Sequence, residues 1–356
     1  MKSCRHNDEL YKLYIEPSSR CNLACTMCFR NTWIDEALAD MNRRVFDRVI
    51  DTISESIHTV FFGGMGEPLI HEDIIYMARQ AASKGKHVEL LSNGMLLTRE
   101  TSAALLDAGL SMLWLSLDSV NEGGYASIRQ NSSLPLVLQN ISDFNTERAK
   151  HKGVKLGLTF VAMRSNITQL GKLSQFAQDH GFDDINVSNV LPTDAASLNE
   201  SLAARIVNIG YGTEGTPPHI SLPSMDMSID GVSNSLAALR PRKYCKFIAE
   251  GKAFVRHDGE VSPCMALLHS GSTFLEDKKR TVYHHSFGNV ENTGLGDIWN
   301  SAEYADFRER VRKFEFSPCT QCGGCDYRDD NQADCFGNVK PTCGACLWSE
   351  GVLSCP

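Results

Sequence analysis

At 356 residues, with 42% hydrophobic and 22% charged side chains, the chain is long enough for an ordinary core plus a smaller attached unit, so two domains are the starting expectation. A formal net charge of −8 argues against a nucleic-acid backbone or an anionic membrane as the main partner, and no apolar run approaches the roughly 20 residues that span a bilayer. The amino terminus MKSCRHNDEL lacks a signal-peptide core, which predicts a cytoplasmic protein, and in that reducing compartment 13 cysteines read as metal ligands rather than disulfides.

The first strand-like run is LYIEP (13–17). It is followed by TVFFGG (59–64), HVELLSNG (87–94), MLWLSLDS (112–119), KLGLTFVAM (155–163) and INVSNVLP (185–192). These β-branched and aromatic runs alternate with helical spacing, as in MNRRVFDRVIDTIS and NITQLGKLSQFAQDHG. Strand, helix, strand in repetition implies right-handed parallel crossovers. Six such units predict an α/β fold over residues 1–192: a partial (β/α)6 TIM-like barrel, open on one side, with its chemistry at the carboxyl ends of the strands.

After Pro192 the pattern dissolves into polar sequence rich in Gly, Pro and Ser, read as a bridge or flap over 193–242. From about Lys243 the composition changes again, and residues 243–356 carry nine of the 13 cysteines: Cys245, Cys264, Cys319, Cys322, Cys325, Cys335, Cys343, Cys346 and Cys355. Within this extension AFVRHDGEVSPC predicts a hairpin turning at Asp258 and Gly259, and GLGDIWNSAEYADFRERVRKF predicts one amphipathic helix. A unit with so few regular elements is expected to be small, Cys-rich and stabilised by metal, whose binding energy becomes part of its folding energy.

The densest chemistry lies in RCNLACTMCFRN, where Cys21, Cys25 and Cys28 fall within eight positions on the loop after the first strand. Four thiolates close a zinc or iron-sulfur site, whereas three leave one metal position open to a non-protein ligand. A structural zinc site or three unrelated cysteines is the plainer alternative.

CNLACTMC has the C-x3-C-x2-C spacing of the radical S-adenosylmethionine (radical SAM) enzymes, and the chain resembles them. The resemblance implies a [4Fe-4S] cluster on the three thiolates with one iron open to SAM. It also implies reductive cleavage of SAM to methionine and a 5′-deoxyadenosyl radical that abstracts hydrogen from a substrate. The family usually has an aromatic residue before the third Cys; here Met27 stands there, a soft apolar side chain able to pack over the cluster. GGMGEP (63–68) resembles the family's glycine-rich motif, in which Gly64 and Gly66 let the backbone approach SAM and Glu67 receives the methionyl ammonium. LSNG and LWLSLDS resemble the strand ends that meet the methionyl carboxylate and ribose, which assigns Asn93, Ser116 and Asp118, while Arg129 is placed to pair with the carboxylate bidentately. Read from the residues alone, Glu67 is also a surface acid in a Gly-Pro turn, and the other four are also ordinary caps and surface polar groups.

Cys245, Gly259 and Cys264, followed by the dense Cys group, resemble the SPASM extension of radical SAM maturases, which binds up to two auxiliary [4Fe-4S] clusters. That brings the expected total to three. The usual later pattern is C-x2-C-x5-C-x3-C and a final Cys; this chain has CTQCGGC, Cys335, CGAC and Cys355. The expected division gives Cys319, Cys322 and Cys325 with one tail Cys to a distal cluster, and Cys245, Cys264 and Cys335 to a nearer one. At least one of Cys335, Cys343, Cys346 and Cys355 is then spare. Zinc ribbons on the C-x2-C pairs are the alternative, and Cys4 is expected to ligate nothing.

The tail CGGCDYRDDNQADCFGNVKPTCGACLWSEGVLSCP, with VSNVLP, LPSMDM, VSPCMALLHS and FGNV, is similar to radical SAM maturases associated with tungsten-cofactor oxidoreductases of the aldehyde ferredoxin oxidoreductase type. The partners this implies are SAM, a peptide, protein or pterin-cofactor substrate, a tungsten-dependent oxidoreductase among them, and reduced ferredoxin or flavodoxin as electron donor. Peptide modification, by thioether crosslinking or sulfatase-type oxidation, is a second enzymatic reading. A non-catalytic electron carrier is a third, though it has no use for GGMGEP. No general base stands out: Asp226 and Asp326 read as solvated loop carboxylates, and His257, His284 and His285 as surface or structural residues.

Overall fold

A computed structural model of the chain describes residues 8–34, 36–202, 226–228, 243–322 and 325–355. All six expected strands form: β1 (Lys12–Ile15), β2 (Thr59–Phe62), β3 (His87–Ser92), β4 (Leu110–Ser116), β5 (Lys155–Ala162) and β6 (Asp184–Asn189). They pair in chain order, every pair parallel. β1 and β2 are buried along their whole length, as strands covered on both faces must be.

Helices α1 (Arg43–Asp51), α2 (Ile74–Ser83), α3 (Arg99–Asp107), α4 (Glu122–Ile128), α5 (Leu134–Arg148) and α6 (Leu170–Asp179) connect the strands. α1 starts where the Asn42 side chain accepts from Arg44 N at 2.9 Å, and its i, i+3, i+4 stripe buries Val45, Phe46, Val49 and Ile50. α5 is capped by Ser133 and tolerates Pro135 in its first turn, where a backbone N–H would have no helical partner.

Alternate strand residues point into the barrel. Near the amino ends, Glu89 Oε2 accepts from Lys12 Nζ at 3.0 Å and from Trp114 Nε1 at 3.1 Å. Gly157 makes room for this plug, since a Cβ there would lie 2.3 Å from the Trp114 ring. One layer nearer the carboxyl ends, Tyr14, Phe61, Leu91, Ser116 and Thr159 line an open cavity instead.

The extension is continuous with the barrel sheet. β8 (Lys252–Val255) pairs in parallel with β1, from Lys12 opposite Lys252 to Ile15 opposite Val255. β9 (Val261–Ser262) returns antiparallel through the expected hairpin, with Gly259 at φ +86°. On the other edge β7 (Asp226–Ser228) lies antiparallel on β6. Of the bridge, the described residues also form α7 (Ala195–Glu200), capped by Asp194. Its remainder, the Asp226 side chain and Cys4 lie outside the described residues.

After α8 (Lys246–Ala249) comes a hairpin that the sequence reading did not anticipate, β10 (Gly271–Leu275) with β11 (Lys278–Val282). The single helix expected beyond it is two helices, α9 (Leu295–Trp299) and α10 (Ala302–Lys313). Ser301 separates them because its side chain accepts from Tyr304 N at 3.3 Å, a local cap that starts a new helix. Both bury apolar residues, among them Trp299, Tyr304 and Phe307, in the same core cluster as β1 and α1. That shared core answers how so small an extension buries its surface. Among the described residues, no helix is long and apolar enough to cross a membrane.

Candidate active site

Cys21, Cys25 and Cys28 all line a cavity of about 320 Å³ at the carboxyl ends of β1 to β6. The loop is held from several sides. Ala24 and Cys25 pair antiparallel with Gln130 and Arg129 just after α4, and Asn31 Nδ2 donates to Cys25 O at 3.0 Å. Asn93 Nδ2 donates to Asn22 Oδ1 at 2.9 Å and approaches Cys21 Sγ at 3.8 Å. Met27, in place of the family's aromatic residue, lines the cavity and packs on Ile128, Met163 and Val190. Burial pushes the Cys25 thiol up to about 11, partly offset by Arg129, and pushes Cys28 up as well. Without metal these thiols are neutral, and metal binding must displace their protons.

The glycine-rich loop meets protein as closely as it meets the cavity. A Cβ on Gly66 would lie 2.0 Å from Ser18 O, and one on Gly64 would lie 2.6 Å from Glu16 Oε1. Glu67 N donates to Arg20 O at 2.7 Å, so the loop packs against the chain leading into Cys21. The buried Glu67 carboxylate ties strand ends together: Oε1 accepts from Ser92 Oγ at 2.8 Å and Leu69 N at 3.1 Å, Oε2 from Asn93 N at 2.8 Å. Burial raises its pKa against those three donors.

Gly64, Gly66, Glu67, Asn93, Ser116 and Arg129 all line the cavity. Asp118 does not. It is fully buried behind Arg129, with Nη2 of the arginine at 2.7 Å and Val161 N donating to Oδ1 at 2.8 Å. Asp118, expected at the ribose, lies off the cavity and is paired with Arg129 instead. Because Asp118 engages one arm of the guanidinium, the expected bidentate pairing is also altered; Arg129 Nε remains buried and unpartnered beside the cavity.

The sequence reading missed Met265, Trp348, Leu353 and Ser354, which close the cavity from the extension alongside the candidate ligand Cys355. The tail docks on β6, where Asn189 Nδ2 donates to Val352 O at 2.7 Å and Ser354 N to Ser188 Oγ at 3.0 Å. Only the polar, inward-facing INVSN pattern of β6 hinted at a partner there.

The remaining thiols fall into groups that differ from the expected division. Burial raises Cys245 to about 12 and Cys264 and Cys343 well above the ordinary thiol value, with Cys346 the largest charged contributor for all three. Cys245, Cys264, Cys343 and Cys346 are thus neighbours in the fold. Cys335, expected beside Cys264, instead acts on Cys319, which shares its loop with the exposed Cys322 and Cys325. The pairing could not be read because Cys264 and Cys346 meet through the fold and not through spacing. Among the described residues no three thiols have sulfurs all within 4.8 Å of one another, whereas a four-thiolate zinc site would hold them roughly 3.8 Å apart. Cys355 lines the barrel cavity, and Trp348 Nε1 donates to its sulfur at 3.4 Å. Asp326 is exposed and His257 is buried.

Residues 15–161 match the family model for the radical SAM superfamily, and residues 245–326 match the SPASM iron-sulfur cluster-binding domain. A tungsten-containing aldehyde ferredoxin oxidoreductase cofactor-modifying protein from Pyrococcus furiosus is 30% identical across 97% of this chain and 96% of its own. The chain belongs to the radical SAM family with a SPASM extension. A PqqA peptide cyclase from Bradyrhizobium diazoefficiens is 25% identical over 95% of this chain and 87% of its own. Among solved structures, Streptococcus suis SuiB bound to S-adenosylmethionine shares the fold, with a TM-score of 0.60 at 18% identity over 90% of this chain and 72% of that one.

As a radical SAM protein the chain is an enzyme, which sets aside the electron-carrier reading. Its cofactors are SAM and [4Fe-4S] clusters, and the donor sets fit them. Three thiols on one loop beside the cavity would hold a cluster with one iron left for SAM, the buried unpartnered Nε of Arg129 is there to meet it, and the nine cysteines of the extension suffice for two auxiliary clusters.

Proposed function

We propose that this radical SAM enzyme is a maturase acting on a tungsten-dependent oxidoreductase or its pterin-derived cofactor. The observation that carries the reading is the shared cavity: the three-thiol loop forms its floor, while Met265, Trp348 and Leu353 of the extension wall it. Similarity to the Pyrococcus furiosus cofactor-modifying protein over almost all of both chains supports the substrate class. When bound, the first cluster and SAM supply reductive cleavage to methionine and a 5′-deoxyadenosyl radical that takes hydrogen from the substrate.

The protein's part is to bind, orient and exclude water. Arg129, fixed by Asp118, presents Nε to the methionyl carboxylate. Glu67 Oε2, with its one donor from Asn93, accepts the methionyl ammonium. Ser116 and Asn93 face the rest of the SAM molecule. Leu23, Phe29, Leu191 and Met265 keep the reacting region apolar, which protects a radical from solvent. Reduced ferredoxin or flavodoxin delivers electrons at the exposed Cys322, Cys325 and Cys335.

A second reading, modification of a peptide, is supported by similarity to the PqqA peptide cyclase. Anaerobic protein with SAM and dithionite tests the shared chemistry. 5′-Deoxyadenosine must form, and Cys21→Ala, Cys25→Ala and Cys28→Ala together must abolish it. Adding the tungsten oxidoreductase or a peptide encoded beside the maturase separates the two substrates by which one gains a mass change.

A further inference from the structure

We propose that Glu16, His257 and His269 form a binding site for one divalent first-row transition ion, separate from every thiol group. Glu16 follows β1, His257 follows β8 and His269 precedes β10, so barrel and extension both contribute. All three side chains are buried, and their donor atoms lie within 4.8 Å of one another. His269 Nε2 is 2.8 Å and His257 Nδ1 is 3.4 Å from the same oxygen, Glu16 Oε2. The other oxygen, Oε1, accepts from Met65 N at 2.9 Å, which turns Oε2 toward the imidazoles.

Two imidazoles and a carboxylate suit iron(II), manganese(II) or zinc(II). For donors about 2.1 Å from an ion, separations of 2.8 and 3.4 Å subtend roughly 85° and 110°. Those angles suit each imidazole as a neighbour of the carboxylate on a five- or six-coordinate ion.

Glu36 carries the argument further. Its Oε2 lies 3.2 Å from His269 Nδ1, and its Oε1 accepts from Ser270 N at 2.9 Å. A carboxylate at the remote nitrogen holds the imidazole proton on Nδ1 and turns the Nε2 lone pair toward the metal position. Nε2 and Glu16 Oε2, 2.8 Å apart, need a cation between them, which a metal ion or a proton supplies. A second proton on His269 meets that need for one imidazole only. His257, at 3.4 Å from the same oxygen, is too far for a normal hydrogen bond of about 2.7–3.2 Å, yet it is at an ordinary spacing for a neighbouring ligand of one ion. Occupancy would fix Glu16, and through it the Met65 peptide and the glycine-rich loop beside the SAM cavity.

The test uses full-length protein with its clusters loaded anaerobically, so that the cysteines are occupied, titrated with cobalt(II) alone. The site predicts one equivalent of cobalt(II) with weak visible d–d absorption and no thiolate charge transfer. Glu16→Gln and His269→Ala lose that equivalent while cluster absorbance stays unchanged. No uptake by the wild type, or equal uptake by folded variants, overturns the proposal. If the variants fail to fold, the wild-type spectrum decides: intense thiolate-to-cobalt charge transfer places the ion on cysteine and overturns it, and its absence with one equivalent bound upholds it.

Discussion

Asp118 lies behind Arg129 with Nη2 at 2.7 Å, so the arginine reaches the cavity already braced by a carboxylate that never touches it. Removing one partner of a buried pair leaves the other charge stranded, at a cost of about 3–5 kcal/mol. Asp118→Ala is expected to lower the thermal midpoint and raise the Kd for SAM by roughly tenfold or more, about 1.4 kcal/mol or greater. Asp118→Asn, which keeps the shape, falls between. Unchanged SAM binding by calorimetry in Asp118→Ala would contradict the bracing role.

Metal content tests the thiol groups. Fully loaded protein should hold about 12 irons. Cys264→Ala and Cys335→Ala should each lose about four, from different EPR signals, because they sit in different groups. Cys355→Ser should lose none. Loss of a whole cluster from Cys355→Ser would move that thiol out of the barrel cavity and into a ligand set.

Gly66 allows no side chain, since its Cβ would lie 2.0 Å from the Ser18 carbonyl oxygen. Relief requires the chain before Cys21 to move away. Gly66→Ala is therefore expected to displace the three-thiol loop, with loss of most 5′-deoxyadenosine formation, while the eight irons of the extension remain. A variant with full cleavage activity would show that the loop tolerates separation from the glycine-rich turn.

His285 supplies the pH dependence. Burial first, then the charges of Lys340 and His284, lower its pKa from 6.5 to about 4. The fold therefore holds it neutral, while the unfolded chain binds a proton near pH 6.5. Stability from this residue is complete above pH 6.5 and declines as pH falls toward 4. With its partial exposure the loss is on the order of 1–2 kcal/mol. The thermal midpoint of His285→Gln should fall less than that of the wild type between pH 7 and pH 5, and equal slopes would show that His285 does not contribute.

Much of this architecture was legible in the residues. Strand positions followed from β-branched and aromatic runs at regular intervals, and the three-thiol loop followed from spacing, because both are local properties. What depended on distant chain segments was not legible. Glu67 looked free in its turn, yet Ser92 and Asn93 from the next strand end claim its carboxylate. Asp118 looked like a ligand because it ends a strand, and only the return of the chain at Arg129 shows where it points. Cys335 was placed with Cys245 and Cys264, whereas the fold brings Cys343 and Cys346 to those two and sets Cys335 near Cys319. His257 read as a surface or structural residue because nothing nearby in sequence reveals that Glu16 lies beside it.

The pairing of β8 with β1 has a consequence for dissecting the molecule. An excised barrel ending before Lys243 would carry a bare row of amide and carbonyl groups along β1, with Tyr14 stripped of the Phe254 ring stacked on it at 4.3 Å. Such a fragment would be expected to self-associate through that raw margin rather than stay a free barrel.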